Sequence, residues 1–205
     1  MKRRLNNNSD IYRTILKPSE GLYKEKGSKF IAYAIPVTSE EQIKEELQTL
    51  RKAHFDARHI CYAWRLGYDK LRYRANDDGE PSGTAGRPIL GQIDSFEVTE
   101  ILITVVRYFG GILLGTGGLT VAYKQASLDA LNNAEIIENT IKEVFLVSYP
   151  YESTPEIQQI IKTFRAELSQ PEFDTECRAF FHIPISMAEE FKERINKSTE
   201  INIII

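Results

Sequence analysis

The sequence is short of the residues that would announce a disulfide scaffold or a metal centre. Only two of its 205 residues are cysteine, Cys61 and Cys177, and they lie far apart. A disulfide framework is disfavoured on that count, and the reducing cytoplasm is the expected compartment. The three histidines, His54, His59 and His182, combine with the cysteines in no standard zinc spacing, so no metal is expected. The longest apolar run is Ile101 to Val106 with Thr104 inside it, far short of the roughly 20 residues of a membrane span. Behind the basic Met1-Lys-Arg-Arg there is no apolar stretch, and no secretory signal is expected. Enzyme signatures are also missing. No G-x-S-x-G nucleophile turn occurs. The Gly110-to-Gly115 gap has P-loop length, but Thr116 stands where lysine is required. Gly115-Thr-Gly117 opens a dinucleotide fingerprint that has Thr120 in place of its third glycine. No cofactor is expected.

What is present is globular material: 42% hydrophobic and 27% charged, enough apolar surface to offset the chain entropy that a disordered sequence cannot. Net charge is −3 but unevenly spread, because residues 138–205 carry 7 Lys+Arg against 12 Asp+Glu. Residues 51–74 run the other way. Arg51, Lys52, Arg58, Arg65, Lys70, Arg72 and Arg74 face only Asp56 and Asp69, with Tyr62, Trp64, Tyr68 and Tyr73 interleaved. A nucleic-acid-binding face has that composition, and so do two strands solvated by long cations.

The hydrophobic pattern predicts an α+β chain of two domains, 1–137 and 138–205. Strands are expected at Ile11–Leu16, Leu22–Lys24 and Lys29–Ile35, separated by Pro18, Gly21 and Gly27. Ser39, with Gln42 three positions on, forms a capping box for a helix carrying Ile43, Leu47 and Leu50. From Ile60 the residues alternate, which predicts a half-buried strand. Residues 76–88, with three glycines and two prolines, must form a loop; Pro88 then opens a short helix. Glu100–Phe109 reads as a strand covered on both faces. A second glycine loop follows, and then a helix from Leu119 to Asn133 with a stripe of Leu119, Ala122, Tyr123, Ala126 and Ala130. Beyond residue 137, strands, a helix from Thr154-Pro155, a turn at Gln170-Pro171 and a helix capped by Ser186 give the β-α-β-β-α-β order of a ferredoxin-like domain.

Two loops carry the candidate chemistry. A strand, a glycine-rich loop and a helix N-terminus in succession, as at residues 104–124, make an anion site because free amides and the helix dipole point the same way. Asp77, Asp78 and Glu80 around Gly79 could hold a cation through oxygen ligands, or could simply build a turn. Ser82 or Thr84 with His59 and Asp78 would be the residues of a hydrolase-like enzyme.

Both loops resemble a known family. Asn76-Asp-Asp-Gly-Glu-Pro-Ser-Gly-Thr-Ala-Gly-Arg-Pro-Ile-Leu and Val106-Arg-Tyr-Phe-Gly-Gly-Ile-Leu-Leu-Gly-Thr-Gly-Gly-Leu are similar to the signatures of the IMPACT family. Lys26-Gly-Ser-Lys-Phe-Ile, His59-x-Cys61 and Ala122-Tyr123 extend the match over roughly residues 20–135. The resemblance implies an N-terminal β-α-β fold like domain IV of elongation factor G and a C-terminal domain like domain V of that factor. It also implies a non-catalytic binding protein linked to the regulation of translation, with RNA or a ribosomal surface as partner. A regulator that contacts only protein is the alternative to nucleic-acid binding, and a small-molecule enzyme at the 76–88 loop is the other. The surface implied is His59, Asp77, Asp78, Glu80, Ser82, Thr84, Arg87, Arg107, Tyr108, Gly110, Gly111, Gly115, Gly117, Gly118 and Tyr123, with Lys124 beside it. Arg72 and Arg74 of the basic segment join that surface. Leu113 and Val121 stand where many members carry Lys and Arg, which removes two phosphate-capable cations.

Overall fold

The computed structural model describes residues 10–205. They fall into two compact units, one spanning Tyr12–Asn139 and the other joining Asp10 and Ile11 to Thr140–Ile205.

In the first unit, β1 (Ile11–Ile15) pairs with β7 (Ile136–Thr140) outside the main sheet. That sheet has five antiparallel strands: β2 (Ser19–Glu25), β3 (Ser28–Pro36), β4 (His59–Leu66), β5 (Arg72–Asn76) and β6 (Ile101–Tyr108), in the order β2-β3-β6-β4-β5. The central β6 is buried along nearly its whole length, as its apolar run predicts. Helix α1 (Glu40–Ala53) covers one face, where Ile43 and Leu50 pack with Trp64, Leu66 and Leu102. Helices α2 (Gly86–Ser95) and α3 (Gly115–Asn132) cover the other, where Ile89, Ile93, Ala122 and Tyr123 pack with Phe30, Cys61, Ala63 and Val105.

The cap of α1 differs from the box in one detail. Gln42 N donates to Ser39 Oγ, but Gln42 Oε1 accepts from the Thr38 amide. Strand β4 is buried on both faces, not one. Its alternation separates Trp64 and Leu66, under α1, from Cys61 and Ala63, under α2 and α3. Gly86 to Pro88 lie inside α2, and Gly115, Gly117 and Gly118 lie inside α3, four residues before the expected start. The glycines had hidden that first turn, since glycine is a poor helix former. Gly110 is a packing requirement: a Cβ there would lie 1.9 Å from the Gly27 carbonyl carbon.

In the second unit, β8 (Lys142–Tyr149), α4 (Thr154–Phe164), β9 (Glu167–Phe173), β10 (Cys177–Pro184), α5 (Ala188–Asn196) and β11 (Asn202–Ile203) follow the expected β-α-β-β-α-β order. The sheet order is β11-β8-β10-β9. Phe191 of α5 anchors the core, with its ring centroid 5.0 Å from Phe145 and 5.5 Å from Phe164. Two local expectations fail here. Gln170-Pro171 is no turn but lies inside β9, where Gln170 takes a positive φ and the pairing with β10 shifts register. The outermost strand tolerates proline because it need not donate on its open side. Ser186 does not cap a helix; its amide and hydroxyl both donate to the Asp10 carboxylate.

Candidate functional site

The turn after β5 is built by its own carboxylates. Asp77 accepts the amides of Gly83, Ala85 and Gly86 at 2.9, 3.0 and 2.8 Å and so supplies the cap that Ala85 cannot give α2. Burial acts to raise the Asp77 pKa, but those three amides and nearby Arg87 outweigh it and hold the carboxyl below its ordinary range. Asp78, at φ 42°, accepts both guanidinium nitrogens of Arg51 at 3.0 and 3.2 Å and the Ile60 amide at 2.7 Å. Glu80 is buried, with its Oε1 2.6 Å from Arg107 Nη1 and 2.8 Å from the Tyr123 hydroxyl that donates to it.

Three carboxylates thus face three different sets of donors. They do not converge, and among the described residues no group of three or more His, Cys, Asp or Glu is arranged to hold a metal ion. The hydrolase-like grouping does not assemble either. His59 Nδ1 donates to the Asp78 carbonyl at 2.8 Å, not to a carboxylate, and the Thr84 hydroxyl donates to the Pro81 carbonyl at 2.7 Å. Ser82 is exposed. Cys61 Sγ donates to the Asp77 carbonyl at 3.0 Å, and burial pushes its thiol pKa up to about 12. Burial likewise raises the Tyr123 phenol, which keeps its proton and links Cys61 to Glu80.

The register of β4 against β6 sets His59 opposite Arg107. Around that pair, the start of α3 and the residues after Gly79 enclose a cavity of about 410 Å³. Arg58, His59, Glu80 and Arg107 form its polar wall; Phe109, Leu113, Leu114 and Leu119 form its apolar one. The Arg107 side chain is 8% exposed, and its Nε is buried with no partner among the described residues. Helix α3 begins after Leu114, which has no side chain able to cap it, so the first-turn amides are open. Gly115 enters with φ +70°, and around Gly117 nothing lies within 4 Å of where a Cβ would be.

Of the sequence-predicted residues, the structure gathers His59, Glu80, Arg107 and Gly115 at this cavity. Others go elsewhere. Gly111 is exposed in the loop with φ +89°, and Gly118 follows Gly117 in the first turns of α3. Tyr108 points to the α1 face, where its hydroxyl donates to Asp56 and meets His54 Nδ1 at 2.9 Å. Tyr123 is wholly buried. Three of the seven cations in the basic aromatic segment are paired with carboxylates. Arg72 pairs with Glu40, Arg65 with Asp94 and Arg51 with Asp78, while Trp64 is in the core. Arg74, Arg87 and Lys124 are exposed and form no ion pair among the described residues. Arg58 and Phe109 were missed as site residues. Arg58 precedes β4 and Phe109 follows β6, and only the pairing of those strands brings both to one cavity.

Comparison with known proteins gives this site its relatives. Residues 26–131 match the model of the Impact N-terminal domain. The chain is 33% identical over 172 residues to the IMPACT family member YigZ of Escherichia coli, covering 83% of this chain and 84% of that one. It is 32% identical over 185 residues to an IMPACT family member of Haemophilus influenzae, with 88% of each covered. A solved structure described as a hypothetical protein superposes over 94% of this chain and 96% of its own, with a TM-score of 0.71 at 29% identity. The two loops, the fold they connect and these matches together mean that the chain belongs to the IMPACT family.

Proposed function

We propose that the protein is a non-catalytic binding protein acting on the translation machinery, and that it holds RNA or a ribosome-associated surface through the face formed by Arg58, the 109–114 loop and the start of α3. Membership of the IMPACT family supports the link to translation. The observation that carries the choice of face is where the cations sit: Arg65 and Arg72 of the β4–β5 pair are bonded to carboxylates and leave only Arg74 open there, whereas Arg58, exposed and without an ion pair among the described residues, lines one cavity with exposed Phe109 and Leu113. A cation flanked by exposed apolar and aromatic side chains suits a phosphate backbone with unstacked bases. The acidic turn supports binding over catalysis, because each of its carboxylates is committed to holding the backbone or a buried arginine.

Likeness to domains IV and V of elongation factor G belongs to the same proposal and predicts competition with that factor for ribosomes. The test is co-sedimentation of the full chain with ribosomes and with free RNA at about 50 and 200 mM salt. Pelleting that fades with salt and is lost in Arg58→Glu is expected. Pelleting that survives nuclease treatment would favour a protein partner, and none at the lower salt would refute the reading.

A further inference from the structure

The cavity beneath that face has features that an extended polyanion would not need. It is concave, its walls are mostly apolar, and its volume of about 410 Å³ lies in the range of small-ligand sites. Its charged groups are two arginines and one carboxylate. Glu80 is the acidic residue on its wall, and that carboxylate is occupied by Arg107 and Tyr123. Arg107 uses Nη1 for that bond and leaves Nε, on the opposite side of the guanidinium, without a partner among the described residues. A buried donor without an acceptor costs free energy, and an arginine edge carrying two N–H groups matches a carboxylate or phosphate.

The start of α3 contributes independently. Its first-turn amides are uncapped, and the dipole adds partial positive charge there. Gly115 and Thr116 of that first turn line the cavity, so the open amides adjoin it. Arg58 on the wall adds one full positive charge.

We infer that this cavity is a binding site for a small organic anion, a phosphate or carboxylate head carried on an apolar body. The head sits between the α3 amides, Arg58 and Arg107; the body lies against Phe109, Leu113 and Leu119. This site does not depend on RNA binding, and failure of the ribosome experiment leaves it standing.

Phenyl phosphate, benzoate and inorganic phosphate serve as probes, titrated into the full chain by calorimetry and by thermal shift up to about 10 mM, above the roughly 1 mM Kd of a weak specific site. Phenyl phosphate or benzoate is expected to bind saturably and at least tenfold more tightly than inorganic phosphate, and which of the two binds better identifies the head group. Thr116→Asp, at an exposed first-turn residue that lines the cavity, is the informative variant. A carboxylate in the first turn complements the helix dipole, so the fold is kept or strengthened, while the anion is repelled. A folded Thr116→Asp protein that loses the probe supports the site. Saturable binding that this variant leaves unchanged, or no saturable binding of either aromatic probe to the unsubstituted chain, overturns it.

Discussion

Replacing Glu80 by Gln should unfold the first unit far more readily than any change on its surface. The side chains of Glu80 and Arg107 are 3% and 8% exposed and meet at 2.6 Å. Glutamine keeps the shape and an oxygen for the Tyr123 hydroxyl but removes the charge opposing Arg107. Leaving one partner of a buried ion pair uncompensated costs about 3–5 kcal/mol. At about 3–4 °C per kcal/mol for a unit of this size, that is a loss of roughly 10–20 °C in Tm. The assay is selective, because the chain has a single tryptophan, Trp64, buried in the first unit. Its fluorescence follows that unit during thermal or guanidinium unfolding. The paired change Glu80→Gln with Arg107→Met removes both charges and should recover at least half of the loss. A Glu80→Gln protein within about 1 kcal/mol of the original, or a double variant whose cost is the sum of the single ones, would refute the view that these two charges hold each other.

Other consequences follow from the same turn and loop. Asp77→Ala strands three amides and should cost about 2–4 kcal/mol, read by guanidinium unfolding at pH 7. The folded Asp77 carboxyl titrates below its unfolded value, so its contribution is complete above about pH 4 and is lost as pH falls through the folded value; the gap between the original and Asp77→Asn should narrow on acidification. With its thiol pushed up to about 12, Cys61 should resist iodoacetamide at pH 8 in the folded protein, and peptide mapping should find it alkylated only at the rate of unfolding. Gly110→Ala drives a Cβ into the Gly27 backbone and should cost at least about 1–3 kcal/mol or abolish folding, seen as lost soluble yield.

Periodicity made the elements legible wherever one residue class dominated a face. The apolar run of β6, the capped start of α1 and the β-α-β-β-α-β order after residue 137 could all be read directly. Failures came where local chemistry has two meanings. The glycines of 115–118 read as loop because propensity ignores what lies above a helix N-terminus. Gln170-Pro171 read as a turn because proline at a sheet edge looks the same in sequence. At the site, both loops were identified as sequence, but the destination of each side chain was not. Asp77, Asp78 and Glu80 are neighbours in sequence and diverge in space, while His59 and Arg107 are distant in sequence and adjacent in register. The charge of residues 51–74 is less bare than it reads in sequence for the same reason, since Arg51, Arg65 and Arg72 meet Asp78, Asp94 and Glu40 from other segments.

The central claim is that the loop face, and not the β4–β5 strand pair, meets an anionic partner. The most direct test is fluorescence anisotropy of a labelled single-stranded RNA against the full chain across a salt series, with Arg58→Glu and Arg72→Glu in parallel. Arg58→Glu should weaken binding at every salt concentration and flatten the dependence of log K on log salt by about one contact's worth, whereas Arg72→Glu, already paired with Glu40, should change the slope little. The reverse ranking, or affinity that ignores salt, would contradict the account.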